Sequence, residues 1–205
     1  MNLKERFTDL CLPFSKDQDL ISSFWQEIET KYSEKGRHYH DLFHLENMFR
    51  ELGTVKSSIE DFAAVSFSVF YHDIIYNASS KSNEEKSALY AEDRLQQLGL
   101  DKDAVSKITK QILATKAHGK SDHRDTNYLL DADLSILGKD VAIYLDYTRK
   151  IRKEYSIYPD LLYKPGRKKV LSHFLELESI FKTHEFQDKY ELQAKENIAT
   201  ELKLL

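Results

Sequence analysis

The sequence is poor in the residues that staple, break or loosen a chain. It holds one cysteine, Cys11, in 205 residues, which excludes an internal disulfide framework and any Cys-x-x-Cys zinc site. Six glycines and three prolines are too few for a disordered or collagen-like chain. No run approaches the roughly 18 apolar residues of a membrane span. The opening Met1-Asn2-Leu3-Lys4-Glu5-Arg6 is charged, and no apolar core of signal-peptide type follows it. Positive charge is not in excess: 30 Lys+Arg against 34 Asp+Glu leave a formal net charge of −4. That argues against duplex nucleic acid as a partner, since its phosphates call for a basic face. With 41% hydrophobic and 31% charged residues, the expectation is a folded cytoplasmic protein with no membrane contact. The length suits one domain over residues 1–205, enough to bury a core.

What is there is helical periodicity. Ile21, Phe24, Trp25, Ile28 and Tyr32 recur at three- and four-residue steps, as one helix face does. Leu45, Met48, Phe49 and Leu52 repeat the pattern. Residues 62–71, FAAVSFSVFY, are apolar nearly all round, and their length and two alanines favour a central buried helix over a strand. Asn83 suits an N-cap, with Glu84 and Glu85 in the first turn, and Gly99 suits the end of that helix. Asp101 can cap the next, carrying Val105, Ile108 and Ile112. Further helices are expected from about Asn127 to Leu137, stopped by Gly138, and along Val141, Tyr144, Leu145, Thr148 and Ile151. Pro165 fits a first helical turn, and Tyr190, Ala194, Ile198 and Leu202 mark a last helix. Loops fall near 77–83, 118–127 and 156–166. There is no internal repeat and no clear linker. The reading is an all-α bundle of roughly eight or nine helices.

The chemistry-bearing residues are unevenly placed. Three of the eight histidines share His38-Tyr39-His40-Asp41-Leu42-Phe43-His44. His72-Asp73 closes the most apolar helix. An ionised Asp there is costly unless it is paired, binds a metal or emerges into water. His118 follows Ala114-Thr115-Lys116-Ala117. Asp131 and Asp133 interrupt the apolar Leu129–Leu134 segment. They stand about 200° apart on a helix at roughly 100° per residue, so only one of them can face a given site. His40 and His44 lie one turn apart, but Asp41 follows where a zincin-type HExxH needs Glu.

The ordered series His44…His72-Asp73…Asp133 resembles the metal-binding series of the HD-domain superfamily of metal-dependent phosphohydrolases. The likeness extends to Arg37-His38-Tyr39-His40-x3-His44, Phe70-Tyr71-His72-Asp73, Asn83-Glu84-Glu85-x-Ser87-Ala88, Ala114-Thr115-x2-His118, Leu130-Asp131-Ala132-Asp133-Leu134-x2-Leu137-Gly138 and Ile151-Arg152-x-Glu154-Tyr155. It also takes in Gly166-Arg167 and Glu191-x2-Ala194-x2-Asn197. These look like the bacterial branch of predicted HD phosphohydrolases, over roughly residues 20–203. The resemblance implies an HD-type helical bundle in which His44, His72, Asp73 and Asp133 hold one divalent ion. It selects Asp133 over Asp131 and His44 over His40.

Two neutral imidazoles and two carboxylates bring a charge of −2 and leave open positions in six-coordination. That suits Mn, Fe, Co, Ni or Mg better than a closed structural zinc. Such an ion lowers the pKa of a bound water and polarises a phosphoryl oxygen. The implied reaction is hydrolysis of a phosphomonoester or nucleotide. His118 is then a candidate for phosphate contact or proton delivery, and Glu84 or Glu85 for orienting the water. Arg37, Arg152 and Arg167 are candidates for the substrate phosphate, although Glu154 can pair with Arg152 instead. The competing classes are a non-catalytic HD-fold binding module and an oxidative di-iron relative, for which His118 and His123 would supply extra ligands.

Overall fold

The computed structural model describes residues 2–205. Ten α-helices follow one another, with no strand among the described residues: α1 (Leu3–Cys11), α2 (Gln18–Tyr32), α3 (Leu42–Thr54), α4 (Phe62–Tyr71), α5 (Asn83–Gln97), α6 (Lys102–Ala114), α7 (Arg124–Leu134), α8 (Val141–Glu154), α9 (Asp160–Glu176) and α10 (His184–Leu204). Short 3₁₀ turns, Lys56–Ser58 and Ser135–Gly138, follow α3 and α7. The all-α expectation holds, with a slightly higher helix count. No described helix is long and apolar enough to cross a membrane.

Helix α4 is the axis. Every residue from Ala64 to Tyr71 is buried, and α1, α3, α5, α6 and α7 all pack against it. Its all-round apolarity follows from having neighbours on every side. Phe70 stacks edge-on against Phe7 of α1 at 5.1 Å and meets Phe49 of α3 at 4.9 Å. Full burial of one such side chain stabilises by about 1.5–3 kcal/mol. A single aspartate starts each of four helices. The carboxylates of Asp17, Asp41, Asp61 and Asp101 accept from backbone amides in the first turns of α2, α3, α4 and α6, each cap contributing about 1 kcal/mol.

Several boundaries differ from the sequence expectation. Asn83 is not a cap. Its side-chain carbonyl accepts from Asn77 N at 3.1 Å and its amide donates to Asn77 O at 3.0 Å, so it fastens the 77–83 loop. Pro165 lies inside α9 and not in its first turn, because the helix already starts at Asp160, directly after Pro159. Helix α7 ends at Leu134 and tightens into the 3₁₀ turn. Gly138 is needed there for space. A Cβ at that position would stand 2.5 Å from Tyr190 Cβ, so the turn can lie against α10 only without a side chain. Gly99, at φ 89°, terminates α5 in the left-handed region as expected.

Candidate metal centre

Three helices converge their chemistry on one point. His44 lies in the first turn of α3, where Asp41 caps its amide at 3.2 Å. His72 is the residue at which α4 ends. Its Nδ1 donates to Val69 O at 2.9 Å, which leaves Nε2 free to face inward. Asp133 comes from the last turn of α7. One ligand atom from each of His44, His72 and Asp133 lies within 4.8 Å of the others, the one such His/Cys/Asp/Glu group among the described residues. Asp131 points away: its carboxylate accepts from Lys182 N at 2.8 Å, Thr183 N at 2.8 Å and Thr183 Oγ1 at 2.7 Å. The angular separation of the two aspartates on α7 thus divides a carboxylate bonded to the Lys182–Thr183 backbone from one that faces His44 and His72.

The separations suit a shared cation. His44 Nε2 faces His72 Nε2 at 3.2 Å, and Asp133 Oδ1 is 3.3 Å from His44 Nε2 and 4.0 Å from His72 Nε2. Asp73 Oδ2 lies 3.2 Å from His72 Nε2 and borders that group without being part of it. Donors bonded at about 2.1 Å to one ion stand about 3.0 Å apart at right angles and about 4.2 Å apart across it, so these spacings are compatible with one shared ion. Two buried imidazole nitrogens facing each other gain most when both lone pairs point at a cation. The Nδ1–H of His72, given to a carbonyl, is the outer partner that metal-ligating histidines carry.

Electrostatics agree. Burial opposes the charge on Asp73, but His72 and His40 hold its carboxyl below the usual range. Asp133 is likewise penalised by burial and held down by His118 and His44. Burial disfavours charged His72, yet Asp73 and Asp133 push it up to about 9. The two carboxylates are therefore ionised, with imidazoles as their partners.

The remaining candidates are distributed unevenly. His118 joins the centre: its Nε2 is 2.8 Å from Asp133 Oδ2, the carboxylate oxygen turned away from His44. It adopts φ 49°, the only positive value outside glycine among the described residues, a backbone state held by its surroundings. His123 is exposed at the start of α7 and stays outside. Glu84 and Glu85 open α5 and do not enter the cluster; Glu85 pairs with Lys116, whose Nζ also donates to Lys81 O at 2.9 Å.

The arginines are already engaged. Arg37, buried, donates to His40 O at 3.1 Å, Asp73 O at 2.6 Å and Ile74 O at 2.9 Å, so it ties the 37–40 loop to the end of α4. Arg152 is paired with Asp160 at 2.7 Å and with the carbonyls of Tyr155 and Tyr158. Arg167 makes a two-pronged pair with Glu201 at 2.8 and 3.0 Å and donates to Tyr147 OH at 3.2 Å.

Two residues carry more than the sequence assigned to them. Glu154 does not pair with Arg152. Its carboxylate is buried against the 38–40 loop and His40. Lys182 is the other: burial pushes its amine down, against the pull of Asp131 and Asp133. Comparison with protein-family models, with curated proteins and with solved structures returned no match.

Proposed function

We propose that the protein is a metal-dependent phosphohydrolase of the HD-domain type, acting on a small phosphomonoester or nucleotide. The observation that carries the reading is the meeting of His44, His72 and Asp133 within 4.8 Å, with Asp73 Oδ2 beside it at 3.2 Å from His72 Nε2. The resemblance ties these same four residues to one divalent ion. Bound there, Mn, Fe, Co, Ni or Mg would supply a Lewis acid and a water of lowered pKa.

The chain's own groups set the rest. Asp73 and Asp133 offset the ion's charge, and His44 and His72 offer neutral nitrogen. His118, partly exposed beside Asp133, is placed to deliver a proton to the leaving oxygen. With the three arginines committed to carbonyls, Asp160, Glu201 and Tyr147, the substrate phosphate depends on the cation at the centre more than on guanidinium contacts. The single metal-capable group among the described residues favours one ion over a di-iron pair.

The test is a screen of nucleotides and sugar phosphates with Mn, Co, Ni and Mg added separately. Metal-dependent release of phosphate is expected, with kcat falling about 10²–10⁴-fold in His118→Ala while metal content holds. Metal-loaded protein that cleaves no phosphoester would overturn the reading.

A further inference from the structure

The most fully bonded side chain near the centre belongs to none of the four ligand positions. Glu154, from the last turn of α8, reaches residues more than a hundred positions earlier. Its Oε1 accepts from three successive amides, His38 N at 2.8 Å, Tyr39 N at 2.7 Å and His40 N at 3.0 Å. Its Oε2 lies 2.6 Å from His40 Nδ1 and accepts from Tyr76 OH at 2.8 Å. A carboxylate that accepts from a run of amides and from a phenol stays an acceptor, so His40 Nδ1 carries the proton between them. Nε2 is the other end of the ring; it faces Asp73 in the metal-free chain and becomes an acceptor once Asp73 serves the cation.

The ring is fixed by more than that bond. Tyr76 lies over it at 4.4 Å, and Tyr39 meets it edge-on at 5.0 Å. Its Nε2 is 3.9 Å from Asp73 Oδ2. Beyond Asp73 lies the His44–His72–Asp133 group, which His40 does not join. The imidazole therefore borders the centre from outside the ligand set, with one nitrogen anchored and the other turned inward. A loop that only needed closing would be served by the three amide bonds, without a histidine held in one tautomer.

We propose that His40 accepts a hydrogen bond through Nε2 from the water that attacks phosphorus and orients it, and that Glu154 is the positioning residue that holds His40 to this task. This rests on the phosphohydrolase reading, and it moves the water-orienting role from Glu84 and Glu85 to a Glu154–His40 pair. The logic is that of an acid that fixes the tautomer and ring plane of a histidine whose far nitrogen works.

Four variants of the metal-loaded full chain test it: His40→Ala, His40→Gln, Glu154→Gln and the double His40→Ala/Glu154→Gln. Metal stoichiometry should match the parent in both His40 variants. Their kcat should fall about 10²–10⁴-fold with KM little changed. Exogenous imidazole should restore part of the activity of His40→Ala and none of that of Glu154→Gln. The double variant should be no worse than His40→Ala, because the two residues act as a unit. Nitrogen-15 shifts should place the His40 proton on Nδ1 in the parent and not in Glu154→Gln. Glu154→Gln loosens three amide bonds and can unfold; the His40 pair leaves those bonds intact and decides the matter alone. An active parent with His40→Ala within about threefold of it overturns this proposal and leaves the phosphohydrolase reading standing. Loss of metal from His40→Gln makes His40 a ligand and also overturns it. A metal-loaded parent that cleaves no phosphoester overturns both.

Discussion

Two groups of carboxylates in this molecule, one buried and one half-buried, differ in their partners. At the α8–α10 end, Glu201 is held by Arg167 and by Tyr144 OH, and Glu51 by Lys139, Lys189 and Tyr190. Those partners include permanent cations, so the charges are offset whatever else is bound. At the ends of α4 and α7, Asp73 and Asp133 face imidazoles: His40 and His72 for the first, His44 and His118 for the second. Among the described residues, no Lys or Arg side chain forms an ion pair with either aspartate. An imidazole can give up its proton to make room for a metal; a guanidinium cannot. Permanent partners suit a structural role, and exchangeable partners leave room for the proposed ion.

The largest expected effect breaks the structural side. Arg167→Ala leaves Glu201 buried with its guanidinium gone and should destabilise by about 3–5 kcal/mol, measured by urea unfolding. Asp73→Ala should do the opposite kind of damage: metal affinity falls at least about 100-fold, since a ligand is lost, while far-UV circular dichroism stays helical.

The next effect sharpens the comparison through pH. His72 is charged below a pKa raised to about 9, against about 6.5 for a free imidazole. In the metal-free protein its contribution to stability is fully present below about pH 6.5 and is lost as pH rises through about 9. Metal needs the neutral ring, so affinity should climb with pH up to about 9, by about tenfold per unit for one proton released. Isothermal titration in buffers of different ionisation enthalpy would count that proton. The smallest effect is Arg152→Ala. Its pair with Asp160 is solvent-exposed and is worth about 0.2–1 kcal/mol; with its donors already used, KM should barely move.

The sequence made some of this legible and hid the rest for physical reasons. Helix α4 was readable because burial on all sides leaves an apolar run that no strand of that length explains. Helix α2 was readable from one face. Helix α1 carries the same signals, with Leu3, Phe7 and Cys11 at four-residue steps and an Asn2–Glu5 capping box, but its shortness and charge mask them. The start of α9 was misplaced because proline is common in first turns, and α9 buries only Tyr163 and Leu171, so no apolar stripe corrected the error. At the site, His44, His72, Asp73 and Asp133 were named through spacing and resemblance, and the structure brings His44, His72 and Asp133 into one group. The sequence offers Glu154 only as a partner for Arg152, its near neighbour on α8. Its actual partners are 78 to 116 residues away in the chain, and no local period encodes a contact between a helix end and a distant loop.

The most direct measurement is an equilibrium titration of the metal-free chain with Mn or Co, read by calorimetry, beside Asp73→Ala and Asp133→Asn. One ion per chain is predicted for the parent, with affinity reduced at least about 100-fold in each variant and helical content unchanged. A parent that binds no ion, or variants that bind as the parent does, would contradict the assignment of these imidazole-paired carboxylates as a metal centre.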